Sequence, residues 1–447
     1  MMTNKITAIC LLLIVSACIS GRAGADVWPD GTTMDDWFTQ DDAVELSGKL
    51  YEITSHGLYP DEGVLRTREF QNLIDKAAAE GGGTIVVTPG IFKIGAVFFR
   101  PGVNLHLMPG AVLLGSDDIA DYPVVETRME GQTCLYYPAI VNADHCDGFT
   151  ISGAGTIDGN GFRAWKAFWQ RRKWNRACTN KDEQRARVLY VSNSKNVRVD
   201  GVNFQNSMYW TTHFYRCDSL KITNCRFYAL HSPDDKKGPS TDGIDLDACC
   251  DVAVRNIWIS NNDDGIAIKG GKGAFANDYR RNPGNGDNAR ILIENYTASH
   301  GTHSALTLGS ECVNADNIVM RNCKVEGCCN VLNLKMRTDT PQHYTNVLVE
   351  NVTGFVKSNF LLCYPWAQFA DLEGRDRVDV KSHAQGVTMR NCEVKCGTFF
   401  RTNGDMNVMY LSGFTFENLK ITASDPSRHI NVFKGVKFEN CSLEKRH

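Results

Sequence analysis

Ser240-Thr241-Asp242-Gly243-Ile244-Asp245-Leu246-Asp247 opens a stretch that runs through Val252-Ala253-Val254-Arg255-Asn256-Ile257-Trp258-Ile259. It closes on Asn262-Asp263-Asp264-Gly265-Ile266-Ala267-Ile268-Lys269-Gly270-Gly271. Acidic clusters at Asp242 and at Asp263 and Asp264 bracket a run whose apolar residues alternate with period two, the mark of a strand with one buried face. If each turn of a solenoid takes roughly 20 to 30 residues, this spacing stacks the two clusters on neighbouring turns. Carboxylates from successive turns then converge on one wall of a groove, as acid/base cleavage of a glycosidic bond requires.

The alternation recurs outward from this stretch. A pattern of apolar, any, apolar, any, Asn appears at Leu220 to Asn224, Val252 to Asn256, Ile291 to Asn295, Ile318 to Asn322 and Val347 to Asn351. It returns at Val387 to Asn391, Phe414 to Asn418 and Val436 to Asn440, with Val197 to Asp200 as a first copy. The polar residue returns every 22 to 40 residues. Ordering one such coil costs about 1–2 kcal/mol per residue, while each of its few inward apolar side chains returns about 1.5–3 kcal/mol. One coil therefore fails alone, and a column of coils shares each interior layer with the next. Asn suits a left-handed turn and can hydrogen-bond to its stacked copy. The reading is all-β: a right-handed parallel β-helix over residues 51–447, with a β-propeller as runner-up because its blades want more even periods. Thr67, as N-cap, with Phe70, Leu73, Ile74 and Ala77 at helical spacing, predicts a short helix before Gly81-Gly82-Gly83, a plug for the open end of the tube.

A net charge of −3 excludes a broadly basic nucleic-acid binder, and no apolar run after the start is long enough to span a bilayer. Residues 1–25 read as an export signal, with Lys5 before an apolar segment. It has two alternative endings. Val15-Ser16-Ala17-Cys18 matches a lipobox, with membrane attachment through a lipid on Cys18, and Ala23-Gly24-Ala25 matches a cleavage site for a soluble product. Either places the protein outside the cytoplasm, in the periplasm or at the outer membrane of a bacterium. Residues 26–50 read as an acidic N-terminal extension. Of 17 cysteines, 15 follow the signal, and several sit directly after the repeated Asn, as buried stacked thiols rather than as a disulfide framework.

Three segments break the repeat: Arg163 to Arg187, rich in Trp and Arg; Lys272 to Asn288; and Ser358 to Lys381, with Tyr364, Trp366, Arg375 and Arg377. Aromatic faces stack on sugar rings and guanidinium groups fork onto carboxylates, so these are flaps suited to an acidic sugar; packing alone explains each equally well taken singly.

Asp-Gly is a common turn signal, so no single Asp here is informative. The joint order is informative. Asp242, Asp245, Asp263 and Asp264 are followed about a coil later by His303 and then by Lys335-Met336-Arg337, which puts acids, an imidazole and cations on one face. Holding a proton on an Asp near neutral pH means raising its pKa by ~2 units, about 2.7 kcal/mol. Two carboxylates ~5 Å apart at an effective dielectric near 20 repel by about 3 kcal/mol, which is enough.

From about Tyr51 onward the chain resembles glycoside hydrolase family 28, the polygalacturonase family of pectin-degrading β-helices. Gly81 to Gly90, Ile151 to Gly159 and Met208 to His213 resemble its N-terminal half. Its Asn-Thr-Asp, Asp-Asp, Gly-His-Gly and Arg-Ile-Lys motifs fall on Ser240-Thr241-Asp242, Asp263-Asp264, Thr302-His303-Ser304 and Asn333-Leu334-Lys335, with Gly309-Ser310-Glu311 in support. The resemblance implies a single-displacement, inverting hydrolase cleaving α-linked galacturonic acid from pectic polysaccharides or oligosaccharides, without metal or cofactor. It implies that Asp263 protonates the leaving oxygen, that Asp242 and Asp264 activate water, that His303 orients the acid and that Lys335 binds a substrate carboxylate. Lys269, after the Asp pair, resembles exo-acting members. Asn333 in place of Arg removes a uronate contact, with Arg337 as the candidate replacement, and keeps a rhamnogalacturonan substrate in play. His213, Asp245 and the neighbouring Tyr209 and Trp210 are candidates for lining the groove. Two other classes remain open: a β-helix lyase using Ca²⁺ and a Lys or Arg base, and a non-catalytic binder.

Overall fold

A computed structural model describes residues 26–41, 44–46, 48–403 and 407–446; residues 1–25, read above as an export signal with Cys18 as a lipid site, lie outside them. Among the described residues, thirty strands pair in parallel into one continuous coiled sheet, and the hairpin Val125–Met129 with Gln132–Tyr136 stands apart as an antiparallel pair. The coil is a parallel β-helix, and strand-to-parallel-strand connections of this kind turn right-handed. Its interior is a column of Val, Ile, Leu and Phe at zero or near-zero exposure. Rings stack from coil to coil, as Phe204 does on Phe227 at 5.2 Å and Phe416 on Phe438 at 4.9 Å.

The repeated Asn does what the pattern implies. Asn224, Asn256, Asn295, Asn322, Asn351, Asn391, Asn418 and Asn440 all have φ between 50° and 57°. Asn256 donates to Asn224 (3.1 Å), Asn351 to Asn322 (2.9 Å), Asn418 to Asn391 (3.1 Å) and Asn440 to Asn418 (3.3 Å). Of the cysteines that follow, Cys225, Cys323 and Cys392 are buried and Cys441 is half-buried, and among the described residues no disulfide occurs. Burial pushes the thiols of Cys225, Cys323 and Cys392 up to about 12, so they stay protonated.

Helix α1 (Thr67–Ala79) lies against the first coils through Phe70, Leu73, Ile74 and Ala77. Thr67 is its first helical residue rather than its N-cap, which is Arg66; the Thr67 hydroxyl accepts from the Gly95 amide at 2.7 Å instead. Three segments differ from the sequence reading. The segment Arg163 to Arg187 contains a helix, α2 (Phe162–Trp174), whose Trp165 is fully buried. The segment Ser358 to Lys381 begins as a strand of the tube, Asn359–Trp366, because Phe360 and Leu361 supply a layer of the core. Residues 26–41 are a strap. Trp28, Met34 and Phe38 cover Ala253, Leu292, Val319 and Leu348 on the outside of four consecutive strands, and Asp26 and Asp41 pair with Arg321 and Arg255.

Candidate active site

Strand register builds the site. Gly243 N donates to Asp264 O (3.0 Å), Gly265 N to Ser304 O (2.8 Å), and Ser304 pairs with Asn330. Asp242, Asp264, Ser304 and Asn330 therefore form one row across four coils. The turn residues Asp263 and His303 form the next, joined by His303 N to Asp263 O at 2.7 Å. A Cβ on Gly265 would collide with the Tyr296 hydroxyl beneath it, so the Asp-Asp turn needs glycine after it.

The expected convergence occurs. One carboxylate oxygen each from Asp242, Asp263 and Asp264 lies within 4.8 Å of the others. Asp263 is half-buried and faces the groove, whereas Asp242 and Asp264 are buried. Lys335 Nζ donates to Asp264 at 2.6 Å, and His303 Nδ1 lies 3.3 Å from its other oxygen. Burial alone would raise the Asp264 carboxyl, but Lys335 and His303 outweigh it and hold it well below the usual carboxylate range. Burial and the neighbouring carboxylates push Asp242 well up, and burial with the Asp264 charge raises Asp263. Burial lowers His303, but its bond to Asp264 prevails and raises it. The cluster thus holds one fixed anion between a lysine and an imidazole, beside two carboxyls that retain protons more readily.

Lys269, 4 % exposed, sits among Asp245 (3.5 Å), Glu311 (3.6 Å) and Asp242 (3.7 Å), over the Trp210 ring at 4.6 Å. Burial opposes its charge, yet these acids raise its pKa well above the ordinary lysine value. It neutralises the floor under the cluster.

Three predicted contacts are corrected. His213 is fully buried, accepting from Arg187 at Nδ1 (2.6 Å) with Nε2 towards Asp247 (3.3 Å); burial and Arg187 bring it down to about 4, a neutral structural imidazole. Asp245 is fully buried with neither oxygen hydrogen-bonded, and burial pushes it up to about 8. Arg337 is buried and forked onto Asp339 at 2.7 and 2.8 Å, with its backbone tied to Gln342, so it braces the 366–371 loop. Burial under flaps, which register does not reveal, removes all three from the groove. Tyr209 and Trp210 are likewise packed, in a cluster with Met129 and Tyr136. Asn333 is buried and donates to Ser304 Oγ at 3.2 Å. The sequence reading passed over Glu311 as a partner of Lys269, and over Arg128 and Arg187, which cover Asp247 and His213.

Residues 125–359 match the model of the family described as glycosyl hydrolases family 28. A probable polygalacturonase of Vitis vinifera is 25 % identical over 296 residues, 63 % of this chain and 56 % of that one. An exo-poly-alpha-D-galacturonosidase of Dickeya chrysanthemi is 30 % identical over 215 residues, 44 % of this chain and 33 % of that one. The chain thus spans about half and a third of the length of these two relatives. In structure it resembles a hyperthermoactive exopolygalacturonase from Thermotoga maritima, with a TM-score of 0.71 at 21 % identity over 87 % of this chain and 90 % of that one. With the family model covering more than half of its length and the three carboxylates gathered on two adjacent rows, the chain belongs to glycosyl hydrolases family 28.

Proposed function

We propose that the protein is a glycoside hydrolase that releases galacturonic acid from the ends of pectic chains by single displacement. The observation that carries this is the three-carboxylate cluster with its lysine and imidazole. Asp263, half-buried with a raised pKa, gives its proton to the glycosidic oxygen as the bond from that oxygen to the anomeric carbon breaks. A water between Asp242 and Asp264 attacks the carbon from the opposite face. The Asp263 charge helps to raise Asp242, so the two carboxyls share one proton; with that proton on Asp263, ionised Asp242 takes the proton of the water while Asp264 stays ionised and orients it. The separation of at most 4.8 Å between nearest oxygens is shorter than the roughly 6.5–9.5 Å usual for inverting pairs. Single displacement is favoured here because the one firmly ionised carboxylate, Asp264, has both oxygens engaged by Lys335 and His303 and is a poor nucleophile.

Action at chain ends is supported by the upstream end of the groove. There the hairpin Val125–Met129 and Gln132–Tyr136 lies over the strands that precede Asp242. Arg128 pairs with Asp247 at 3.1 Å, and Glu130 accepts from Asn180 (2.6 Å) and faces Lys272 (3.7 Å). A wall there seats a terminal sugar and stops a chain from continuing. The export signal read in residues 1–25 fits a polymer substrate met outside the cytoplasm.

Incubation with de-esterified homogalacturonan oligosaccharides tests the reading. Free galacturonic acid should appear as the first product, and Asp263→Asn should cut kcat at least ~10²-fold with its circular dichroism unchanged. An unsaturated, ultraviolet-absorbing product that vanishes with a chelator would instead indicate a lyase. Release only from rhamnogalacturonan would move the substrate class.

A further inference from the structure

Downstream of the cluster lies a cavity of about 370 Å³. His303, Asn359, Leu362, Tyr364, Arg401 and Asn403 line it. An amide ladder joins it to the cluster: Asn359 Nδ2 donates to Asn330 Oδ1 at 2.6 Å, and Asn330 Nδ2 to Ser304 Oγ at 3.2 Å.

Register connects Arg401 to position 333. Thr307 pairs with Asn333, Asn333 with Leu362 and Leu362 with Arg401. Arg401 therefore occupies the same outward row as Asn333, two strand spacings or roughly 9.6 Å further along the tube. The two positions differ in what they offer. Asn333 is fully buried and bonded to Ser304, whereas Arg401 is exposed and makes no ion pair or hydrogen bond among the described residues. Three cations nearer the cluster are committed: Lys335 to Asp264, Lys269 to its three acids, and Arg337 to Asp339. A guanidinium with no counter-ion among the described residues, lining a cavity that borders the His303 imidazole, is a site for a carboxylate.

We infer that Arg401 recognises a substrate uronate carboxylate on the leaving-group side of the scissile bond, and so sets the preference for acidic over neutral or esterified sugars. The inference rests on the proposed function. The hairpin seats the terminal sugar upstream, so the remainder of the chain must leave downstream, over Leu362 and Tyr364 towards Arg401. Tyr364 and the adjacent Trp366, 5.7 Å apart, supply aromatic faces along that path.

Steady-state kinetics of the wild type, Arg401→Gln and Arg401→Lys on matched oligogalacturonates, free acid and methyl ester, test this. For the free acid, Arg401→Gln should raise KM about 10- to 100-fold with kcat within a few-fold. The wild type's preference for acid over ester should disappear, and Arg401→Lys should restore part of it. An Arg401→Gln variant with wild-type KM and an intact acid/ester preference overturns the inference while leaving the proposed function standing. A wild type that hydrolyses neither substrate overturns both.

Discussion

Asp263 and Asp264 are neighbours in sequence with opposite electrostatics. Asp264 faces Lys335 and His303, while Asp263 feels burial and the Asp264 charge more strongly than those cations. The proposed reaction needs Asp263 protonated, so its rate should fall at high pH as that group ionises. The His303 charge lowers that pKa; removing it lets Asp263 hold its proton to higher pH. The basic limb of kcat/KM for His303→Asn should therefore move to higher pH, and a limb that stays in place or moves down would contradict the assignment. The cluster residues were legible in the sequence because their one-coil offset fixes their rows. His213, Asp245 and Arg337 were misread because the same offset says nothing about what covers a row. The hairpin with Arg128, the guanidinium of Arg187 and the carboxylate of Asp339 do the covering, and they arrive from sequence-distant or non-repeating segments.

The coil is held at its corner by the Asn ladder, which the repeat announced directly. Asn351 is exposed, sits at φ 54° and donates to Asn322 at 2.9 Å. Ala lacks the short polar side chain that lets Asn tolerate the left-handed region, where an ordinary L-residue is strained by up to about 1–2 kcal/mol, and it forfeits the hydrogen bond, about 0.5–1.5 kcal/mol. Replacing it with Gly forfeits the bond and adds unfolded-state entropy, but avoids the strain. Melting temperatures should fall in the order wild type, Asn351→Gly, Asn351→Ala, and the reverse order for the two variants would show that the left-handed turn is not what the position selects. Elements that lack the period were harder to read. Helix α2 is masked by basic residues on its exposed face, where Arg171 and Arg172 reach Glu183. In the strand Asn359–Trp366 both faces are apolar over Phe360, Leu361 and Leu362, so no alternation marks it.

Across the whole molecule, the proposed function depends on stacking a column of coils and on a wall at one end of the groove. Stacking was visible in the sequence, while the wall was not, since it depends on a hairpin, the segment around Asn180 that follows α2 and the segment around Lys272 meeting in space. The strap of residues 26–41 shows the same limit: Trp28 and Phe38 in an acidic segment find their apolar partners more than two hundred residues away. Proton nuclear magnetic resonance of the first sugar released from oligogalacturonates joins these scales, because it reports both where the chain is cut and how water attacks. Single displacement at a closed end should yield monomeric galacturonic acid as the β-anomer, converting later to the mixture; a first product that is the α-anomer, or an internal fragment, would contradict it.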